Sequence, residues 1–161
     1  MARHSATVGF PTRLGLVEVE AAASGVTRVR IGARGKPREV GDGEALALAQ
    51  KTVAEIVGYL DGKVRHFTVP LAAEGTAFQK TVWSELLKIP YGKRRTYGEL
   101  AAKLGRPRGA RAIGAACGAN PVPILVPCHR VVGAEGALGG FGAGIAVKRA
   151  LLELESRATA G

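Results

Sequence analysis

Residues 96–118 read Thr96-Tyr-Gly-Glu-Leu-Ala-Ala-Lys-Leu-Gly-Arg-Pro-Arg-Gly-Ala-Arg-Ala-Ile-Gly-Ala-Ala-Cys-Gly118. Thr96-x-x-Glu99 is a capping box: the Thr hydroxyl and the Glu carboxylate each take up a backbone amide left open at a helix start. The pattern predicts a short helix through Leu104, a turn over Gly105 to Gly109, and a second helix from Ala110 to about Gly118. On that second helix only Arg111, Ile113 and Cys117 are larger than Ala. Two short helices joined by a Gly-containing turn read as a helix-turn-helix. A helix this slim can lie against a minor groove only ~6 Å wide. Arg111 is the one charge between Ala110 and Val126. A lone helix Arg is by default solvated, but between Ala110 and Ala112 it is also placed to enter a base stack. Tyr97, in the first turn, is either a packing residue or a hydroxyl for a phosphate or a base ring nitrogen.

The surrounding charge points the same way. Lys and Arg number 23 against 13 acidic residues, a net charge of +10 and a pI near 10.2. Residues 1–72 carry 10 basic and 7 acidic side chains, and residues 73–161 carry 13 and 6. Seven of the basic residues lie between Lys93 and Arg111, including Lys93, Arg94 and Arg95, against Glu99 alone. A polyanion should dock there, nucleic acid first and an anionic membrane surface second. With 47% apolar and 22% charged residues the chain can bury a core, which excludes wholesale disorder. Cys117 and Cys128 are the only cysteines, too few for a disulfide scaffold or a four-cysteine zinc site. The first residues show no targeting pattern. The longest uncharged stretch is broken by Asn120, Pro121, Pro123 and Pro127 and cannot be a straight membrane helix. The expectation is a soluble, cytoplasmic protein, nucleoid-associated in a prokaryote.

Outward from the helix pair, Phe78, Val82, Leu86 and Ile89 form a helical stripe stopped at Pro90-Tyr91-Gly92. Val122 to Val126 reads as a short, extended, buried run. Cys128-His129 follows Pro127. A thiolate is a strong nucleophile, and a neighbouring His can take the thiol proton if an acid partner orients its ring. A buried structural Cys beside a surface His is the bland reading, and the Pro-flanked apolar run before the pair and the Gly-rich loop after it shift the balance. Six glycines between Gly133 and Gly144 give a backbone able to approach a ligand closely. A helix over Ile145 to about Arg157 closes the chain. In the N-terminal part, Val17 and Val19 alternate with Glu18 and Glu20, and Val29 and Ile31 with Arg28 and Arg30, predicting an antiparallel hairpin with one wet face turned at Ser24-Gly25. Leu46, Ala49, Val53, Ile56, Val57 and Leu60 follow helical spacing up to Asp61-Gly62. Val64, Phe67, Val69 and Leu71 suggest a further strand, Gly32 to Gly43 a mobile loop, and Ala72 to Gly75 a linker. The organisation expected is 1–72, an α/β domain, and 73–161, a mostly helical domain.

Pro127-Cys-His-Arg-Val131, preceded by Asn120-Pro-Val-Pro-Ile-Leu-Val126, resembles the O6-alkylguanine-DNA alkyltransferases. The likeness runs from Phe78 through Leu152-Glu-Leu-Glu155 and takes in Ile89-Pro-Tyr-Gly92, Thr96-Tyr97-Gly98, Ala110-Arg111-Ala112 and the Gly-rich loop. It implies a small RNase-H-like α/β domain, then a mostly α domain with a winged-helix-like helix-turn-helix. It also implies direct, single-turnover damage reversal. The alkyl group on guanine O6 of duplex DNA, flipped out through the minor groove, would pass to Cys128. His129 would deprotonate Cys128 through a water, Glu155 would fix the His129 tautomer, Asn120 would brace the site, and Tyr97 would help swing out and protonate the base. Arg111 would fill the vacated stack, with Thr96, Ala110, Ala112, Lys93, Arg94 and Arg95 on the DNA. The backbone at Cys128 and Val131, the Gly142 amide, Phe141 and Pro123 would receive the base. Neither cofactor nor metal is implied, since residues 1–72 lack the zinc cysteines of some relatives. Phe141 and Gly142 stand where some members have Tyr and Ser, which removes a hydroxyl while keeping an apolar stacking ring. The partner is double-stranded DNA containing O6-alkylguanine, with no membrane. The protein would be a monomer in solution; cooperative assembly on DNA is left open by the sequence. A DNA-binding module without chemistry would leave Cys128-His129 unexplained, and a Cys-His hydrolase would leave the basic helix pair unexplained.

Overall fold

The computed structural model describes residues 4–160. The chain divides into two compact units, residues 1–74 and 75–161.

In the first unit, β1 (Ser5–Thr12), β2 (Gly15–Ala22), β3 (Gly25–Ile31) and β4 (Arg38–Val40) form an antiparallel sheet in the order β3-β2-β1-β4. Val8 pairs with Val19 and Val19 with Val29, so alternation puts these buried valines on one face, against α1 (Gly43–Leu60). The expected hairpin is β2–β3. Its outer face is drier than the alternation predicts. Glu18 is 7% exposed because Arg30 and Arg38 pair with its carboxylate at 3.5 and 3.1 Å. Arg30, Glu18, Gly9 and Arg38 lie in one cross-strand row. Glycine at position 9 leaves room for this row, since a Cβ there would sit 3.3 Å from the Glu18 side chain.

Three expectations change in this unit. The polar segment 32–43 is not wholly loop, because β4 adds three exposed residues to the sheet edge. Residues 64–71 are not a strand. Leu71 makes a single bridge to Val26, through Val26 N–H to Pro70 O (2.9 Å) and Ala72 N–H to Val26 O (2.8 Å). Pro70 lacks the N–H a ladder would need. On α1 the buried stripe is Ala45, Ala49, Thr52, Ile56, Tyr59 and Leu60, while Val57 is exposed. Thr52 tolerates burial because its hydroxyl donates to Leu48 O at 2.8 Å.

The second unit is built on helices. α2 (Ala77–Leu86) opens with a capping box from Thr76 and Gln79, and its Trp83 indole N–H donates to Ala116 O at 2.9 Å. α3 (Tyr97–Lys103) opens with the Thr96–Glu99 box, both bonds at 3.0 Å. α4 (Ala110–Gly118) follows after the expected turn, burying Ile113, Ala116 and Cys117. Lys103 reaches back to Glu85 on α2 at 3.0 Å. β5 (Arg95–Thr96) pairs in parallel with β6 (Val131–Val132), and α5 (Ile145–Ala160) ends the unit. Residues 122–126 are buried as expected but turned rather than extended. Val126 N–H donates to Val122 O at 3.0 Å, and Ile124 sits at φ +74°. That conformation costs a β-branched residue on the order of 1–3 kcal/mol. Asn120 holds the turn from outside, donating to Val126 O (3.0 Å) and accepting from Val122 N–H (2.9 Å). Among the described residues no helix is long and apolar enough to cross a membrane, and no three His, Cys, Asp or Glu side chains converge as a metal site.

Candidate active site

Pro127 ends the Asn120-held turn, and the chain enters a single 3-10 turn, Cys128–Arg130, all of it buried. Cys128 faces a cavity of about 500 Å³. Tyr97 from α3 lines it, as do Ala110, Arg111, Gly114, Cys117 and Gly118 from α4, and Gly140, Phe141 and Gly142 from the glycine loop. Small residues on α4 thus form a wall of backbone, with Arg111 as its one charged side chain.

His129 is fully buried, with Nε2 2.7 Å from Glu155 Oε2. A carboxylate accepts, so this contact places the ring proton on Nε2 and makes Nδ1 the basic nitrogen. Glu155, 1% exposed, also accepts from Arg130 Nε (2.9 Å, Oε1), Arg130 NH2 (3.0 Å, Oε2) and Gly92 N–H (3.0 Å, Oε1). Burial holds the His129 imidazole below its ordinary range; Glu155 opposes this, and Arg130 and Lys148 add to it. Burial pushes the Cys128 thiol up, while a hydrogen bond from Asn120 and the charge of Lys148 pull it down. Cys128 is therefore a thiol at rest beside a neutral imidazole. Cys117, on the same cavity, is pushed up to about 12 by burial and by Cys128.

Lys148 of α5 is also buried. Its Nζ donates to Gly140 O at 3.2 Å and to the Tyr97 hydroxyl at 3.4 Å, and lies 5.6 Å from the Tyr97 ring centroid. Burial lowers its basicity and raises the Tyr97 phenol. Gly139, at φ +71°, passes so close that a Cβ would lie 2.8 Å from the Tyr97 oxygen.

The profile described as 6-O-methylguanine DNA methyltransferase, DNA binding domain, matches residues 77–157. The chain belongs to the O6-methylguanine-DNA methyltransferase family. Within that family it is 55% identical over 109 residues to the methylated-DNA–protein-cysteine methyltransferase of Mycobacterium tuberculosis, a stretch covering 67% of this chain and 66% of that protein. The inducible enzyme of Bacillus subtilis is 50% identical over 105 residues, covering 65% and 59%. The matched stretches thus span less than two thirds of these relatives' lengths. In three dimensions the likeness is fuller. The crystal structure of M. tuberculosis OGT in complex with DNA superposes with a TM-score of 0.82 at 41% identity, over 93% of this chain and 92% of that one.

Of the residues expected at the methyltransferase site, Cys128, Tyr97, Arg111, Ala110, Phe141 and Gly142 surround the cavity. His129, Glu155 and Asn120 do not line it and instead support the cysteine turn. Val131 is buried in the pairing with β5, Pro123 lies in the strained turn, and neither lines the cavity. Thr96 caps α3, Ala112 is half-buried, and Lys93, Arg94 and Arg95 are exposed. The sequence reading missed Lys148 and Arg130. Both had a signal. Lys148 and Glu155 fall on the stripe that buries Leu151 and Leu152, two turns apart on α5. A charge at each end of an apolar stripe marks buried polar work.

Proposed function

We propose that this chain repairs DNA by direct reversal, taking the alkyl group from O6 of an alkylguanine in duplex DNA onto Cys128 Sγ. His129 removes the thiol proton, the S–C bond forms as the C–O6 bond breaks, and the released electron pair goes to the base, which takes a proton. The observation that carries this is the placement of Cys128 in a cavity walled by slim α4, with the buried His129–Glu155 pair supporting it. The target atom lies inside a duplex, so the nucleotide must be flipped out. Arg111, exposed on α4 at the cavity, fills the gap. Tyr97 faces the base, its phenol kept protonated. The Gly142 amide and the backbone at Cys128 and Val131 recognise guanine, with Phe141 as a stacking wall and Pro123 supporting it. Thr96, Ala110, Ala112, Lys93, Arg94 and Arg95 contact the DNA. The thioether has no group poised to cleave it, so each molecule acts once, without cofactor or metal. The first unit fits an RNase-H-like domain and the second a winged-helix-like one, in a cytoplasmic protein that is a monomer in solution.

The test is intact-protein mass after incubation with a duplex carrying one O6-methylguanine, followed by peptide mapping. One methyl at Cys128, saturating at one per protein and absent in Cys128→Ser, is expected. Tight lesion binding with unchanged mass would make this a recognition protein instead.

A further inference from the structure

Arg130 has no part in the transfer just described, yet its side chain is heavily engaged beside it. Its guanidinium meets Glu155 with two nitrogens, at 2.9 and 3.0 Å, gives a third to Ile89 O at 2.8 Å, and lies 5.7 Å over the Tyr91 ring. With Gly92 N–H and His129 Nε2, Glu155 receives four hydrogen bonds on two oxygens. All of this is enclosed: His129 is 0%, Glu155 1% and Arg130 7% exposed.

The charges of this group decide what His129 can do. With Arg130 present, carboxylate and guanidinium cancel, and a neutral imidazole completes a neutral set. Without the guanidinium, a buried carboxylate facing an imidazole is neutralised most readily by protonating that imidazole. An imidazolium already holding its second proton cannot accept one from a thiol. We propose that Arg130 is a positioning residue for alkyl transfer, occupying Glu155 so that His129 rests as a neutral base. This rests on the alkyl-transfer reading above. During transfer His129 Nδ1 gains the thiol proton, and the new imidazolium then shares Glu155 with Arg130 while the thiolate is consumed by S–C bond formation.

Lys148, from α5, also acts on His129, and Cys128 precedes it in the same turn. α2, which also packs on the turn, directs Glu85 to Lys88 and Lys103.

Two measurements on the full chain test the proposal. In histidine-labelled wild-type protein, NMR follows His4, His66 and His129 through a pH titration. His129 is expected as the neutral Nε2–H form at pH 7, and an imidazolium there would overturn the proposal. Single-turnover methyl transfer is then followed from pH 5 to 9. Arg130→Met is expected to move the acid limb up by about one pH unit, a slowing of roughly tenfold at pH values below both limbs that recovers at high pH; Arg130→Lys, which keeps the charge, is expected to restore the limb. A limb unmoved in Arg130→Met, with only its amplitude reduced, would show a purely structural role. If Arg130→Met does not fold, wild-type NMR and the Arg130→Lys limb decide. No methyl transfer at any pH by wild-type protein whose His129 is neutral would sink the alkyl-transfer reading while leaving the charge arrangement intact.

Discussion

Burial makes Cys128 a poor thiolate, so its reactivity has to be supplied at the moment of transfer. The same burial keeps His129 unprotonated below its ordinary range. The base form is lost only as pH falls through that lowered value, so transfer should keep its rate through the ordinary imidazole range and decline only on the acid side of it, which a single-turnover pH series checks. Lys148 poses a sharper test. Lys148→Met keeps the apolar stem of the side chain while removing a buried ammonium, a replacement that is often neutral or stabilising, so thermal melting should show no large loss of stability. Transfer should nevertheless slow at least roughly tenfold, because Tyr97 and the Gly140 carbonyl lose their shared cation. Gly139→Ala would strain a left-handed backbone and press on the Tyr97 oxygen. It is expected to cost about 1 kcal/mol or more and to slow transfer further. At this scale the sequence was legible where chemistry is local. Cys128-His129 reads as a pair from adjacency, whereas Glu155 lies 26 positions from His129 and was placed beside it only by family resemblance. Lys148 was passed over because a helix lysine is ordinarily solvated, although its place on the apolar stripe of α5 was there to be read.

At the scale of elements, the helix-turn-helix followed from local rules: a capping box, a Gly-bounded turn and a run of small residues. Arg111→Ala is predicted to slow transfer on duplex DNA while leaving reaction with a free modified base nearly unchanged. Equal slowing on both would remove its role in the stack. Other segments resisted reading because their shape is imposed by neighbours. The turn at 122–126 depends on Asn120 from outside it and on an Ile forced to positive φ. Asn120→Ala would leave the Val122 N–H and Val126 carbonyl without that partner, at about 1–3 kcal/mol. β4 was hidden because an edge strand of three exposed residues has no hydrophobic alternation. The α2–α3 contact has its own pH signature. Lys88 and Lys103 hold the Glu85 carboxyl below its ordinary 4.5. The stabilisation is therefore present above about pH 4.5 and lost as pH falls through the lower folded value. Glu85→Gln should flatten that acid-side loss in thermal melts by circular dichroism.

For the whole molecule, the basic stretch from Lys93 to Arg111 should make the logarithm of DNA affinity fall linearly with the logarithm of salt concentration. A flat dependence would remove the phosphate contacts from the account. The division near residue 74 was approached in the sequence through composition alone, since Ala72 to Gly75 offers a break but no signal of which residue ends a core. The two units differ in one further respect. Trp83, the chain's sole tryptophan, belongs to the second unit. Its indole is anchored to Ala116, the residue before Cys117 on the cavity wall. Intrinsic fluorescence excited at the indole band therefore comes from the second unit alone. The protein carries its own optical gauge there, seated against α4 and placed to report any change at that helix when duplex DNA is added or Cys128 is modified.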